Sequence, residues 1–299
     1  MLKRWGFLFV ALVLFCSSAL AKEKDLDLEY HKVHKPKAGM SAEEIMQIKY
    51  FNKYTLFAND YESIGNVVFI EKDGSRRNRR FLRQRLILGR DSDNISYKDL
   101  VMFTAPTSVK GLATLTWNYM NPERDQDVWL WIPSLRKIRK VSAGEADDSF
   151  MGGDITVEEI TSRRFSDETY KLIGEENFKG YTSFFDGKVF HQDEPCYVVE
   201  CTPKRKPWYY SKRVAYISKN FGGDMLDEIY DPNGKIYRTV FRGWIIMNVN
   251  GKDYATQNRL EASDFRTGHK TVILFDEIKF DQGLKEDIFS EKTLMRQRW

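Results

Sequence analysis

From residue 111 to 119 the chain alternates strictly. Ala113, Leu115, Trp117 and Tyr119 fall on one side, and Thr114, Thr116 and Asn118 on the other. A period of two predicts a half-buried strand of an antiparallel sheet. The same β-rich, aromatic texture returns at 67–70, 212–218, 235–241 and 270–275. Turn signals separate these runs at Asp73-Gly74, Asn121-Pro122, Asp186-Gly187, Asp231-Pro232-Asn233-Gly234, Asn250-Gly251 and Thr267-Gly268. Residues 128–132 are apolar at both parities, so that strand needs a cover on its second face. Helical patterning is confined to short stretches. A capping box at Ser41 and Glu44 opens a helix that runs to about Ala58, and short helices are predicted at 97–103 and 157–163. The pattern as a whole predicts one large, curved antiparallel sheet with few helices.

The beginning of the chain reads differently. Lys3 and Arg4, an apolar run over 7–15 and the small residues Ala19-Leu20-Ala21 form an export leader over 1–21. Residues 22–40 are charged and irregular and predict a flexible arm, and 41–299 predict a single β domain. Without the leader the 47 basic and 43 acidic residues become 45 and 43, a nearly neutral body. Cys196 and Cys201, five positions apart, would lie roughly 17 Å apart on opposite faces of one strand. That excludes a bridge between them and predicts two buried thiols.

Candidate chemistry is sparse. No nucleophile elbow, zincin helix, P-loop or dinucleotide fingerprint occurs. His31 and His34 lack further ligands to complete a metal site, and His191 and His269 stand beside turns. The acidic pairs Asp147-Asp148 and Glu158-Glu159 read as solvated faces. The expectation is a chain without enzymatic activity, cofactor or metal. Six arginines crowd residues 76–85. In an exported protein they suit anionic lipid headgroups, an acidic protein surface, or the solvated side of a strand, and not nucleic acid. A second basic cluster, Arg136, Lys137, Arg139 and Lys140, runs into Glu145, Asp147 and Asp148, and could pin that acidic loop closed or form ordinary surface pairs. Within the loop, Phe150 and Met151 stand before Gly152-Gly153 like the tip of a lid. Trp117, Trp129 and Trp131 supply a matching wall.

These residues carry a family resemblance. The stretch VWLWIPSLRKIRKVSAGEADDSFMGGDITVEEI resembles the signature of outer-membrane lipoprotein-sorting proteins, the LolA-like carriers, in a branch associated with RND-type export. The likeness extends through Phe103 to Pro106, Leu115 to Trp117, Cys196 to Glu200 and Asp287 to Ser290. It implies an incomplete, half-open antiparallel β-barrel with helices as plug or lid. It also implies a soluble, monomeric periplasmic carrier of lipid or lipoprotein acyl chains that touches membranes transiently. On that reading Trp117, Trp129, Trp131, Phe150 and Met151 hold the lipid, and Arg136 and Arg139 steer headgroups or lid. The alternative is a periplasmic adaptor that docks on an RND-type pump without a ligand.

Overall fold

The computed structural model describes residues 26–29, 32–55, 58–89, 95–121, 124–141, 147–161 and 163–296. The predicted leader lies outside these residues, as does Glu145. The first helix, α1 (Ala42–Tyr54), starts at the expected place. The Ser41 hydroxyl accepts from the Glu44 amide while the Glu44 carboxylate accepts from the Ser41 amide. Within the expected arm, His34 is tied to α1: its backbone exchanges hydrogen bonds with the Asn52 side chain and its ring packs edge-on to Phe51 at 5.2 Å.

Six strands follow as a meander: β1 (Asp60–Ile70), β2 (Arg76–Ile87), β3 (Ile95–Ala105), β4 (Ala113–Tyr119), β5 (Asp127–Ile132) and β6 (Lys137–Val141). After the short helix α2 (Val157–Thr161) comes β7 (Glu168–Asn177), then a small hairpin of β8 (Tyr181–Thr182) and β9 (Val189–Phe190). The rest is a second meander, β10 (Pro195–Pro203), β11 (Lys212–Ser218), β12 (Asp224–Tyr230), β13 (Ile236–Val249), β14 (Lys252–Asp264) and β15 (Lys270–Phe280), closed by α3 (Glu291–Arg296). Apart from the hairpin, all strands join one antiparallel sheet in the order β6-β5-β4-β3-β2-β1-β15-β14-β13-β12-β11-β10-β7. β6 and β7 are its two unjoined edges, so the sheet is open and not a closed barrel.

The helix predicted at 97–103 is strand β3. Its two parities are both covered, so neither periodicity stood out. Tyr97, Asp99, Val101 and Phe103 share one face through their partners Arg85, Arg83 and Phe81, while Lys98, Leu100 and Met102 share the other with Trp117, Leu115 and Ala113. The first face, here called inner, carries α1, α2 and the segment leading into it. The outer face carries two other covers. The β8–β9 hairpin stacks Tyr181 on Phe241 at 3.9 Å and seats Phe184 and Phe185 near Val68 and Val272. The C-terminal segment places Phe289 and Leu294 on Leu100, Leu115 and Trp129. Cys196 and Cys201 are buried free thiols in separate apolar clusters, and burial pushes Cys196 up to about 11.

Candidate functional site: the inner face and its cover

The inner face has two halves of different chemistry. Near the centre of the sheet it is apolar: Val67, Phe69, Phe81, Phe103, Val240, Leu260, Ala262 and Ile273 form one cluster. Towards α1 it is ionic. Arg213, fully buried, donates to both Glu168 oxygens at 2.8 and 2.7 Å and to Asp227 at 2.8 Å. Asp227 also accepts from Arg242 at 2.8 Å. Asp224 lies 3.2–3.3 Å from Arg242, Lys49 and Lys53, the two lysines reaching down from α1. Burial works against the Asp224 charge, but these three cations outweigh it and hold the carboxyl at about 2. Desolvation in turn lowers Lys49 and Lys53 to about 8 each.

Two further groups complete the ionic layer. Asp99 bridges Arg83 and Arg85; burial opposes its charge, yet the two guanidiniums hold it at about 2. Arg163 pairs with Glu158, and Arg238 with Glu159 at 2.8 Å. The arginine-rich strand is thus divided, with Arg76, Arg77 and Arg80 exposed and Arg85 buried. Arg83 and Arg85 point into the protein, because they share parity with Phe81, while Arg77 pairs with Glu71 near the surface.

The loop with the signature motif is fastened over this face. Asp154 accepts from Thr271 at 2.7 Å and lies 2.6 Å from His269 Nδ1, so the histidine that lacked a partner in sequence has one. Arg238 donates to the Asp154 carbonyl at 2.9 Å, and Ile155 inserts into the apolar cluster. Phe150, at the head of a single 3-10 turn, is half-buried; the Met151 side chain lies outside the described residues. A Cβ at Gly153 would stand 3.1 Å from Thr271 Oγ1 and 3.4 Å from the Phe69 ring, so the motif backbone lies directly on β15 and β1.

A cavity of ≈ 60 Å³ separates cover from sheet. Its lining mixes polar groups, from Lys53, Tyr54, Arg83, Glu159, Arg242, Thr256 and Gln257, with apolar ones, from Trp244, Ala255, Leu260, Ile273 and Phe275. Trp117, Trp129 and Trp131, expected as the wall of a cavity, are not in its lining. They share parity with Ala113 and Leu115 and so face outward, where Trp117 Nε1 donates to the Phe289 carbonyl at 3.0 Å and packs edge-on to Trp129. Arg136 and Arg139 are exposed on and beside the β5–β6 turn, and Lys140 pairs with Asp127 on β5 at 2.5 Å. Among the described residues no cluster of His, Cys, Asp or Glu is arranged to hold a metal ion, and no helix is long and apolar enough to cross a membrane.

Comparison with known proteins places this architecture. A protein-family model described only as that of an uncharacterized protein matches residues 96–296. The chain belongs to that family, and its fold is LolA-like. A crystal structure of an outer membrane lipoprotein-sorting protein domain from Vibrio parahaemolyticus is similar at a TM-score of 0.70 and 21% identity, over 85% of this chain and 98% of that one. A DUF1329 family protein from Desulfovibrio piger follows at 0.66 and 26%, over 79% and 92%. A LolA superfamily protein from Nitrosomonas europaea shares 18% identity at 0.58, over 85% and 99%. No curated protein matches the chain.

Proposed function

We propose that this protein is a periplasmic carrier that takes acyl chains of a lipid or lipoprotein between the inner face and its cover, and delivers them toward the outer membrane. The supporting observation is the contrast between sheet and lid. Beneath the 148–161 segment the sheet is apolar, yet the segment sets only Ile155 into that cluster and is otherwise fastened through polar side chains, Arg238, His269 and Thr271. Such contacts can exchange for water as the lid lifts, whereas the apolar face gains by meeting a hydrocarbon. Burying an acyl chain yields roughly 0.8 kcal/mol per CH₂, so a twelve-carbon chain offsets several lost hydrogen bonds at about 1 kcal/mol each.

The cavity of ≈ 60 Å³ is well below the roughly 300–1,000 Å³ of a small-molecule site. Loading therefore requires the cover to move. Phe150 and Met151 form the tip of that lid in this reading, and Arg136 and Arg139 guide anionic headgroups during a brief contact with a membrane. The three outward tryptophans stiffen the wall from behind.

A reversible lock tests the gate. Gly153→Cys with Thr271→Cys places two thiols where lid meets sheet. The oxidised protein should take up no fluorescent fatty acid, and uptake should return on reduction. Equal uptake by the oxidised protein and the wild type would remove the lid from the mechanism.

A further inference from the structure

The ionic layer under α1 is not balanced. Among the described residues six buried cations (Lys49, Arg85, Arg163, Arg213, Arg238 and Arg242) meet six buried carboxylates (Asp99, Glu158, Glu159, Glu168, Asp224 and Asp227), and two partly exposed cations, Lys53 and Arg83, stand in excess at the edge of the layer. Excess positive charge at a partly desolvated edge favours an anionic neighbour. Part of that surplus borders the cavity. Lys53, Arg83 and Arg242 line it against a single carboxylate, Glu159. The Arg242 side chain is 2% exposed, and its Nε has no hydrogen-bond partner, although a buried guanidinium ordinarily satisfies all its donors.

The same cavity has an apolar wall. Trp244, Leu260, Ile273 and Phe275 line it together with Thr256 and Gln257, and Leu260 and Ile273 continue into the apolar cluster under the lid. The site is therefore amphipathic along one line, cationic below α1 and hydrocarbon-like toward the 148–161 segment. Lys53, Arg83 and Arg242 each have a carboxylate partner, but a neutral chain would leave the Arg242 Nε–H without an acceptor.

We infer that the inner site takes a single-chain lipid with an anionic head, a fatty acid bound head-inward, with its carboxylate between Lys53 and Arg242 and its chain running along Leu260 and Ile273. The inference rests on the carrier reading and specifies which lipid the carrier accepts. The carboxylate would accept from the Arg242 Nε and from Lys53, whose charge is the most exposed of the three cations contacting Asp224.

Calorimetric titration of the full mature chain with laurate and with dodecanol, both below their aggregation concentrations at pH 7, tests this. Laurate should bind at least about 10-fold tighter than dodecanol, the scale of a hydrogen bond to a charged group. Lys53→Met should reduce that ratio to below about 3-fold while dodecanol binding stays unchanged. Asp224 retains Lys49 and Arg242 in this variant, which protects the fold. Equal affinity for laurate and dodecanol in the wild type would overturn the head-inward assignment and leave the carrier reading standing. Binding of neither would overturn the carrier reading itself. A laurate preference that survives in Lys53→Met would move the head away from this cavity and overturn the assignment.

Discussion

Arg213→Met is the substitution that most directly probes the ionic layer. Arg213 is fully buried and makes three charged hydrogen bonds of 2.7–2.8 Å, two to Glu168 and one to Asp227. Methionine keeps much of the volume but answers neither carboxylate. Asp227 is left with Arg242 at 2.8 Å. Glu168 keeps a hydrogen bond from Tyr210 at 2.9 Å but loses its ion-pair partner. Removing one member of a buried pair costs about 3–5 kcal/mol, because the other charge stays behind without compensation. Adding Glu168→Gln should return about 1–3 kcal/mol, since the stranded charge is then gone. Urea denaturation, followed by tryptophan fluorescence, reads both effects as shifts of the midpoint at constant slope. A loss below about 1 kcal/mol in Arg213→Met, or strictly additive losses in the double variant, would refute a dry, mutually dependent network beneath α1.

Other perturbations separate the layers. Asp99 and Asp224 sit at about 2 when folded, against 3.8 ordinarily. Their contribution is complete above the unfolded value and is lost as pH falls from about 4 through about 2, at roughly 2 kcal/mol each; melting temperature against pH should show that loss. Phe289→Ala should cost about 3–5 kcal/mol because its side chain is fully buried on the outer face, yet leave fatty-acid affinity unchanged; weakened binding would place the ligand on the tryptophan side. Gly65→Ala would put a Cβ 2.2 Å from the Leu274 carbonyl and 2.6 Å from the Phe81 ring. It should lower stability by about 1–3 kcal/mol and weaken amide-exchange protection along β1 and β15.

What could be read from sequence was mostly local. The capping box at Ser41 and Glu44 depends on four consecutive residues, and it is present as expected. The alternation at 113–119 gave a correct strand, β4, because its two faces differ in polarity. β3 was misread for the opposite reason: Val101 and Phe103 face the inner cluster while Leu100 and Met102 face the C-terminal segment, so both parities are apolar. Parity also groups Trp117, Trp129 and Trp131 correctly on one face. It cannot say which face the helix covers, and that choice sends all three away from the cavity. Sequence could not separate Arg83 and Arg85 from the exposed arginines of β2, because their partner Asp99 lies on another strand and only the register brings them together. Asp154 stood in the signature motif, but its partners His269 and Thr271 are over a hundred residues away, beyond the reach of any local pattern.

The central claim is that the inner face carries lipid, and native mass spectrometry of the protein, purified from an envelope fraction without detergent, tests it most directly when paired with lipid extraction. The account predicts one bound acyl-chain species per protein, displaced by added laurate. A protein that arrives empty and stays empty with laurate in excess would contradict it, and the apolar inner face would then be structural core alone.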